Sequence, residues 1–421
     1  MSLHRVVWRW HFYAGLFVAP ILFVVAITGA AYVFRAEVED YAHARLRFVA
    51  PVGMRIGPQA VVDAARAAHP DQSPSAVELP AEPDRAAIVR FGAPSGPGPV
   101  VYVDPYRGAV LGSIDPRAPD RLAASFDLVL SIHRELFIGT FGRVVVESSV
   151  GWTIVLLATG FYLWRPRRLN QARGVWLPRW PAKPYTALRD LHALLGFYLL
   201  APALVIVVTG LFYTIVWSEA FYLLTHVGSR APAVADRKSP PPAIDPGRPI
   251  LSLDRIAEMA AARYPGRSLA FTIGGEPRPG MDVRASNDFN DSYGPYVSAQ
   301  FQLDRVDGAL LSHKTLAEDD RYWWHGWTYP LHVGSVLGLT TKVIWFLTCL
   351  VLCALPITGV WMWLKRRPRG KSGFPRRSDA PLPPGLVAAI VAMGVALPVV
   401  GLSMVLILAG ESLVKRLRAA S

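Results

Sequence analysis

The feature that most constrains how this chain can fold is a duplication. Four histidines recur at equivalent positions in its two halves, each beside a long apolar run. His11 and His192 are each followed by Gly at +4, Thr-Gly at +17 and +18, and Tyr at +21. His133 and His332 are each followed by Gly at +6 and by Thr-Gly at +26 and +27. Such internal similarity predicts two copies of one structural unit.

The apolar runs are long enough to cross a bilayer, which takes about 20 helical residues. Among 421 residues, 52% are hydrophobic, and the mean hydropathy is +0.29. We predict an integral membrane protein with five spans. The first is too long for a removed signal peptide and lacks a small-residue cleavage site. The spans are expected at about 12–34, 144–164, 193–217, 343–364 and 385–410.

The net charge of +13 is unevenly distributed. Residues 1–11, 165–191 and 365–384 hold 16 Lys and Arg against two acids. The long loops 35–143 and 218–340 hold 12 basic residues each, against 13 and 14 acids. This positive-inside pattern predicts a cytoplasmic N-terminus and long loops outside. It also argues against nucleic-acid binding as the cause of the basic balance.

The predicted fold is α-helical and membrane-embedded, with two parallel repeats about a pseudo-two-fold axis along the membrane normal. The predicted order is a cytoplasmic N-terminus with the first span (1–34), first outer domain (35–143), second span (144–164), basic loop (165–191), third span (192–217), second outer domain (218–340), fourth span (341–364), basic loop (365–384), and a fifth span with its tail (385–421).

The fifth span has no counterpart in the repeat. Its tail, Lys415-Arg416-Leu417-Arg418, would lie outside if 385–410 crossed the membrane, against the charge rule. Two interpretations stay open: an added span that tolerates this charge, or a re-entrant or peripheral helix.

The two outer loops also resemble each other. VVYVDPYRGAVLGS, with Asp104 and Gly108, and YVSAQFQLDRVDGALL, with Asp304 and Gly308, each predict a β-hairpin. A helix-like stretch precedes each hairpin, near 57–69 and 252–264. Each outer loop is therefore predicted to form a small α+β domain.

His11 and His192 are equivalent in the repeat and begin inside-to-outside spans. We expect them near the cytoplasmic face, where they can approach one planar macrocycle from opposite sides, and haem is the usual guest. Gly15 and Gly196 lie one turn along and leave room for a porphyrin. Charge neutralisation of haem propionates is assigned to Arg9 and Arg189.

His133 and His332 precede the outside-to-inside spans, so a second haem is predicted at the outer face, at or just above the interface. Bis-histidine ligation closes the iron to O₂ and favours electron transfer. Two alternatives remain. A histidine at a membrane boundary is often only an interfacial polar residue, and a metal without porphyrin usually needs three or four clustered protein ligands.

Further candidates surround the outer pair. His325 can replace His332 as a ligand, contact a propionate or touch substrate. Trp323, Trp324 and Trp327 form an interfacial aromatic belt or flank the haem edge as a substrate-docking surface. Cys349 and Cys353, four residues apart in the fourth span, are expected to be packing residues rather than a thiol pair.

These motifs resemble the PepSY-associated transmembrane family over about residues 5–368. The resemblance rests on the His-x-x-x-Gly spans ending in Thr-Gly, the VDPYRGAVLG hairpin and the second outer histidine. That family includes iron-regulated inner-membrane proteins and ferric-siderophore reductases of Gram-negative bacteria. It implies a periplasm-facing reductase in the inner membrane, with haem held by His11, His133, His192 and His332.

The resulting expectation is an oxidoreductase with two haem b groups that reduces a ferric siderophore in the periplasm. No dinucleotide or P-loop motif is present, so quinol or a separate cytoplasmic reductase must donate the electrons. A non-enzymatic accessory or sensor that binds a periplasmic partner is one alternative. A transporter of iron chelates is another.

Overall fold

The computed structural model describes residues 3–93, 96–115, 118, 120–166, 172–226, 249–274, 279–288, 294–319, 321–375 and 382–420. The helices are α1 Leu3–Tyr32, α2 Arg35–Ala42, α3 Ala44–Arg47, α4 Pro58–Ala68, α5 Arg121–Glu135, α6 Gly139–Trp164, α7 Pro184–Tyr198, α8 Leu200–Leu211, α9 Val216–His226, α10 Leu253–Arg263, α11 His325–Val333, α12 Leu339–Arg366, α13 Pro384–Ala396 and α14 Pro398–Ala420. The strands are β1 Ser73–Leu79, β2 Ala87–Ala93, β3 Gly96–Val103, β4 Val110–Ile114, β5 Ser268–Thr272, β6 Gly280–Ser286, β7 Ser298–Asp304 and β8 Leu310–Thr315.

The chain is a membrane protein that combines apolar helices with a β-sheet. Helices α1, α6 and α12 are each long and apolar enough to cross a bilayer. Helices α7 and α8 pass the same test only together, with a 63° bend between them. Pro202, the third residue of α8, cannot donate a hydrogen bond to the carbonyl of Tyr198, which accounts for a break at this point.

These four membrane elements form a ring. Helix α1 packs against α6 and α12, and the α7–α8 pair packs against the same two helices from the other side. Buried apolar side chains fill the middle of this ring: Ala26, Leu157, Ala203, Val207, Leu352 and Cys353. In this arrangement α1 and the α7–α8 pair, the first elements of the two halves, face each other across the bundle.

Residues 385–410 do not form a single span, and this part of the sequence prediction is corrected. Two apolar helices, α13 and α14, meet at Leu397. A Cβ added to Gly401 would overlap the Gly394 carbonyl oxygen. A straight helix would separate residues seven positions apart by about 10 Å. The chain therefore reverses at Leu397 into a helical hairpin.

The hairpin packs against α6. The indole nitrogen of Trp152 donates to the Ser403 hydroxyl at 3.0 Å, and Val400 and Met404 join a buried cluster with Ala14. A hairpin agrees with the positive-inside rule better than a single span does. It returns the basic tail to the side of the membrane on which α13 begins, next to the basic loop 365–384.

The outer strands form one antiparallel sheet in the order β4-β3-β2-β1-β5-β6-β7-β8. The first four come from one outer loop and the last four from the other. The seam is the antiparallel pairing of β1 with β5, in which Val77 lies opposite Phe271. The sequence predicted two separate domains, whereas in the structure the two units pair edge to edge.

Helices α4 and α10 cover one face of this sheet, and a single apolar core spans the seam. It includes Val61 and Ala65 of α4, Ile256 of α10, and the strand residues Val77 and Phe271. Both predicted hairpins are confirmed, as β3–β4 and β7–β8. Their turn glycines, Gly108 and Gly308, have φ of 69° and 77°, values that side chains with a Cβ rarely adopt.

Candidate metal centres

An inner pair of histidines lies in the middle of the helix ring. His11 is on α1 and His192 is on α7, and both are partly buried. Their ring centroids are 6.4 Å apart and the ring planes meet at 85°. The structure therefore brings together two side chains 181 positions apart that the sequence repeat made equivalent.

An outer pair lies near the other end of the bundle. His133 is near the end of α5 and His332 near the end of α11, each just before a span. Their centroids are also 6.4 Å apart, and the planes meet at 54°. His133 contacts the carbonyl of Val25, inside α1. The outer pair is therefore within the helix bundle rather than above it.

Two imidazoles that bind one metal ion from opposite sides have a predictable separation. A metal–nitrogen bond of about 2.0 Å, plus about 1.1 Å from nitrogen to ring centre, taken twice, gives about 6 Å. Both observed separations agree with this value. Each pair therefore has the spacing of a trans bis-imidazole site.

Neither histidine pair belongs to a larger cluster of potential metal ligands among the residues that the structure describes. Within the described ranges, no group of three or more His, Cys, Asp or Glu side chains is arranged to hold a metal ion. Two axial imidazoles leave four equatorial positions of a six-coordinate metal unfilled, which is what a porphyrin supplies. The donor set therefore fits haem better than a bare transition metal.

A threonine on a neighbouring helix orients each inner ring. His11 Nδ1 lies 2.9 Å from Thr159 Oγ1, and His192 Nδ1 lies 2.9 Å from Thr358 Oγ1. The Thr159 hydroxyl donates its only proton to the Val155 carbonyl, at 2.6 Å, so it accepts from the ring. Thr358 donates in the same way to Ala354. Nδ1 therefore carries the proton, and the Nε2 lone pair remains available to a metal.

The outer rings have backbone acceptors as well. His133 Nδ1 donates to the Val25 carbonyl at 2.9 Å, with Thr28 Oγ1 at 3.1 Å. His332 Nδ1 donates to the Ile206 carbonyl at 3.0 Å, with Thr209 Oγ1 at 3.4 Å. The same tautomer results.

Each threonine is followed by a glycine against which the imidazole packs. An added Cβ would lie 3.1–3.6 Å from the Cε1 atom of the ring in all four cases: Gly160 with His11, Gly29 with His133, Gly210 with His332, and Gly359 with His192. In the sequence these Thr-Gly pairs are recognisable only as markers of the repeat. Their constant offset from the histidines was the signal of a role in the site.

The glycines and arginines that the sequence predicted for the inner site do not lie against the histidine rings as the Thr-Gly glycines do. A Cβ on Gly15 or Gly196 would make ordinary contact with Leu156 or Leu355, and would not touch a histidine. Arg189 is half exposed and paired with Asp190. Arg9 has a buried Nε with no hydrogen-bond partner. Of the two arginines, Arg9 has the donor that an anionic group such as a propionate would satisfy.

The aromatic candidates separate into one buried ring and two exposed ones. Trp324 is 8% exposed and packs on Phe212, with ring centroids 4.8 Å apart. Trp323 and Trp327 are 46% and 55% exposed, as expected of an interfacial belt.

The ring of Tyr213 lies between His325 and the outer histidine pair. Its ring centroid is 5.6 Å from that of His332 and 5.4 Å from that of His325. It is His332, and not His325, that faces His133.

A charged group that sequence reasoning missed lies at the outer end of α1. Arg35 donates to the Tyr32 hydroxyl at 2.8 Å, to Glu39 at 2.6 Å and to Asp127 at 3.1 Å. Tyr32 is one helical turn beyond Thr28, so this network lies directly outside the outer pair. It places a paired cation on the outer side of the site.

Comparisons with known proteins identify the family to which the chain belongs. The sequence profile of the family described as PepSY-associated TM region matches residues 8–366. The chain is also 27% identical to the uncharacterized protein PA4219 of Pseudomonas aeruginosa, over 63% of this chain and 70% of the relative. The profile match includes all four histidines and both outer loops.

Proposed function

Because the chain belongs to the PepSY-associated transmembrane family, we propose that it is a two-haem electron-transfer protein of the bacterial inner membrane. It reduces a ferric siderophore in the periplasm, which makes it a ferric-chelate reductase. The N-terminus is cytoplasmic, and the β-sheet is periplasmic.

One observation carries this proposal. In two places the repeat brings equivalent imidazoles to a centroid separation of 6.4 Å, with Nδ1 of each ring hydrogen-bonded so that Nε2 is available to iron. These four histidines would hold haem b at each pair, and the haem would supply one-electron redox chemistry.

The chain's own residues hold the two sites apart and keep water away from the path between them. Thr28, beside the outer pair, is 17 residues along α1 from His11, which is about 25 Å of helix rise. A hydrocarbon core is about 30 Å thick. The two pairs are therefore suited to opposite sides of the membrane, with the apolar core of Leu157, Val207 and Leu352 between them.

The electron balance is simple. Each Fe(III) chelate accepts one electron and becomes an Fe(II) chelate, and a quinol donor would give two electrons and release two protons. Fe(II) binds hard oxygen ligands less strongly, so reduction releases iron from the siderophore. A cytoplasmic reductase is the other donor that the missing nucleotide motif allows.

A transporter remains a second candidate because the third span is broken, as spans that line transport sites often are. The bend between α7 and α8 is apolar on both sides, and its repeat partner α1 continues through Pro20 without a break. This asymmetry favours an electron conduit over an alternating-access transporter.

The decisive experiment is pyridine haemochrome quantitation of the purified full-length protein. The proposal expects two haem b per chain and a reduced spectrum typical of bis-histidine ligation. It also expects oxidation of the reduced protein by a ferric siderophore in reconstituted vesicles. A colourless protein that folds normally would refute the redox function and favour the accessory or sensor alternative.

A further inference from the structure

We propose that the Thr-Gly pairs are positioning elements of the haem sites, and that Thr159 is the hydrogen-bond acceptor, among the residues that the structure describes, that orients the imidazole of His11. This inference rests on the proposed function. It concerns which residues hold the iron ligands at the correct angle and with the correct tautomer.

The direction of each hydrogen bond supports the role. The Thr159 hydroxyl lies 2.6 Å from the Val155 carbonyl and 3.2 Å from the Leu156 carbonyl, so its proton is directed into its own helix. Its lone pair therefore faces His11 Nδ1 at 2.9 Å. A hydroxyl that already donates can only accept from the ring, which excludes the tautomer with a proton on Nε2.

Gly160 also positions the His11 ring. The Cε1 atom of His11, which lies between the two ring nitrogens, would be 3.3 Å from a Cβ on Gly160. The ring therefore rests against bare backbone. Threonine sets the rotation of the ring through Nδ1, and glycine sets how closely the ring approaches the helix.

The four histidines differ in how much their orientation depends on a threonine. For His11, Thr159 is the acceptor on Nδ1. For His133, the Val25 carbonyl accepts at 2.9 Å, closer than Thr28 at 3.1 Å. His192 also interacts with the backbone of Leu355. Loss of the hydroxyl should therefore harm the inner site through His11 most, and the outer site through His133 much less.

Each half of the repeat is self-contained in this respect. His11 is oriented by α6 and His133 by α1, both within the first half. His192 is oriented by α12 and His332 by α8, both within the second half. Each half therefore orients one histidine of the inner site and one of the outer site, and each site forms where the two halves meet.

Three matched variants test this. Thr159→Val keeps the shape of the side chain but removes the acceptor, and Thr159→Ser keeps the hydroxyl. Thr28→Val removes a hydroxyl beside His133 but leaves the Val25 carbonyl in place as its acceptor. Full-length protein in detergent would be measured for haem transfer to excess apomyoglobin and for its potentiometric titration. Loss of a hydrogen bond that orients a metal ligand weakens metal binding by about 10–100-fold.

For Thr159→Val we expect faster loss of one of the two haems and a higher midpoint potential for that haem, because a ring without the Nδ1 hydrogen bond is a weaker donor to Fe(III). Thr159→Ser should behave as the wild type, and Thr28→Val should show a smaller change. The shift in potential separates ligand orientation from a general loss of stability.

Wild-type rates and potentials in Thr159→Val would overturn this inference while leaving the two-haem function intact. Equal damage in Thr159→Val and Thr28→Val would overturn it too. If Thr159→Val does not fold, Thr159→Ala, which also lacks the hydroxyl acceptor for His11 Nδ1, repeats the test, and wild-type behaviour there counts against it. A wild-type protein without haem would instead remove the proposed function itself.

Discussion

The imidazole of His11 lies against the backbone of Gly160, so closely that a Cβ at that position would be 3.3 Å from the Cε1 atom. The two residues belong to the first and second spans of one half. We expect Gly160→Val to displace the ring and to release haem from the inner site, because branched methyl groups extend beyond an already tight Cβ.

The matched control for Gly160→Val is a glycine in open surroundings. Gly410 on α14 has no atom within 4 Å of an added Cβ. Gly410→Ala should retain both haems, with unchanged or slightly higher thermal stability. Full haem content in Gly160→Val would show that the close contact does not position the ring.

The pairing of histidines across the halves predicts a specific pattern of non-additivity. His11→Ala and His192→Ala should each remove the inner haem, and the double variant should lose no more than either single one. Combining His11→Ala with His133→Ala should remove both haems, because these residues belong to different pairs. Haem-to-protein ratios of all four variants measure this, and an additive loss within one pair would contradict the shared sites.

The angle between the rings differs between the two sites. The inner planes meet at 85° and the outer planes at 54°. Nearly perpendicular axial imidazoles give a more anisotropic low-spin ferric signal than less crossed ones. Electron paramagnetic resonance of the oxidised protein should therefore show two distinct signals, and His11→Ala should remove the more anisotropic one. Two identical signals would exclude this difference between the sites.

The hairpin at Leu397 predicts that the C-terminus lies on the same side of the membrane as the start of α13. The positive-inside rule predicts that this side is the cytoplasm. A fluorescent protein fused to the C-terminus should therefore be bright, while a periplasm-dependent phosphatase fused there should be inactive. The opposite result would mean that the segment crosses the membrane.

An ion network on the outer domain predicts a pH dependence of stability. Burial opposes ionisation of Asp40, but hydrogen bonds from Arg85 and Arg47 outweigh it and hold the pKa of Asp40 below its usual value. A depressed folded-state pKa means that the network stabilises the protein above the unfolded pKa, about 3.9. This stabilisation is lost as the pH falls through the lower, folded value.

Asp40→Asn should therefore destabilise the protein at pH 7, by about 1.5–3 kcal/mol for charge-assisted hydrogen bonds. The difference from the wild type should shrink as the pH falls below about 4. Thermal unfolding of both proteins between neutral and acid pH tests this. A difference that stays constant with pH would rule out a role for the carboxylate charge.

Much of the site could be predicted from the sequence, because the two halves of the repeat keep the same spacing between each histidine and its marker residues. His11 and His192, or His133 and His332, occupy equal places in two copies, and a two-fold arrangement brings equal places together. The role of Thr159 was not visible in this way, since its hydrogen bond spans 148 positions and depends on how α1 packs against α6. For the same reason the sequence could not show that a Cβ added at Gly15, one turn from His11, would lie 3.7 Å from Leu156.

The sequence by itself determined that the chain lies in a membrane, where its apolar runs are, which histidines are equivalent and where the outer hairpins turn. These properties follow from hydrophobicity, charge and local backbone preference, each set by neighbouring residues. Only the tertiary structure decided that β1 joins β5 into one sheet, that the last apolar segment reverses at Leu397, and that each imidazole meets a Thr-Gly pair. Those contacts join residues far apart in the chain, so they depend on which surfaces pack together and not on any local pattern.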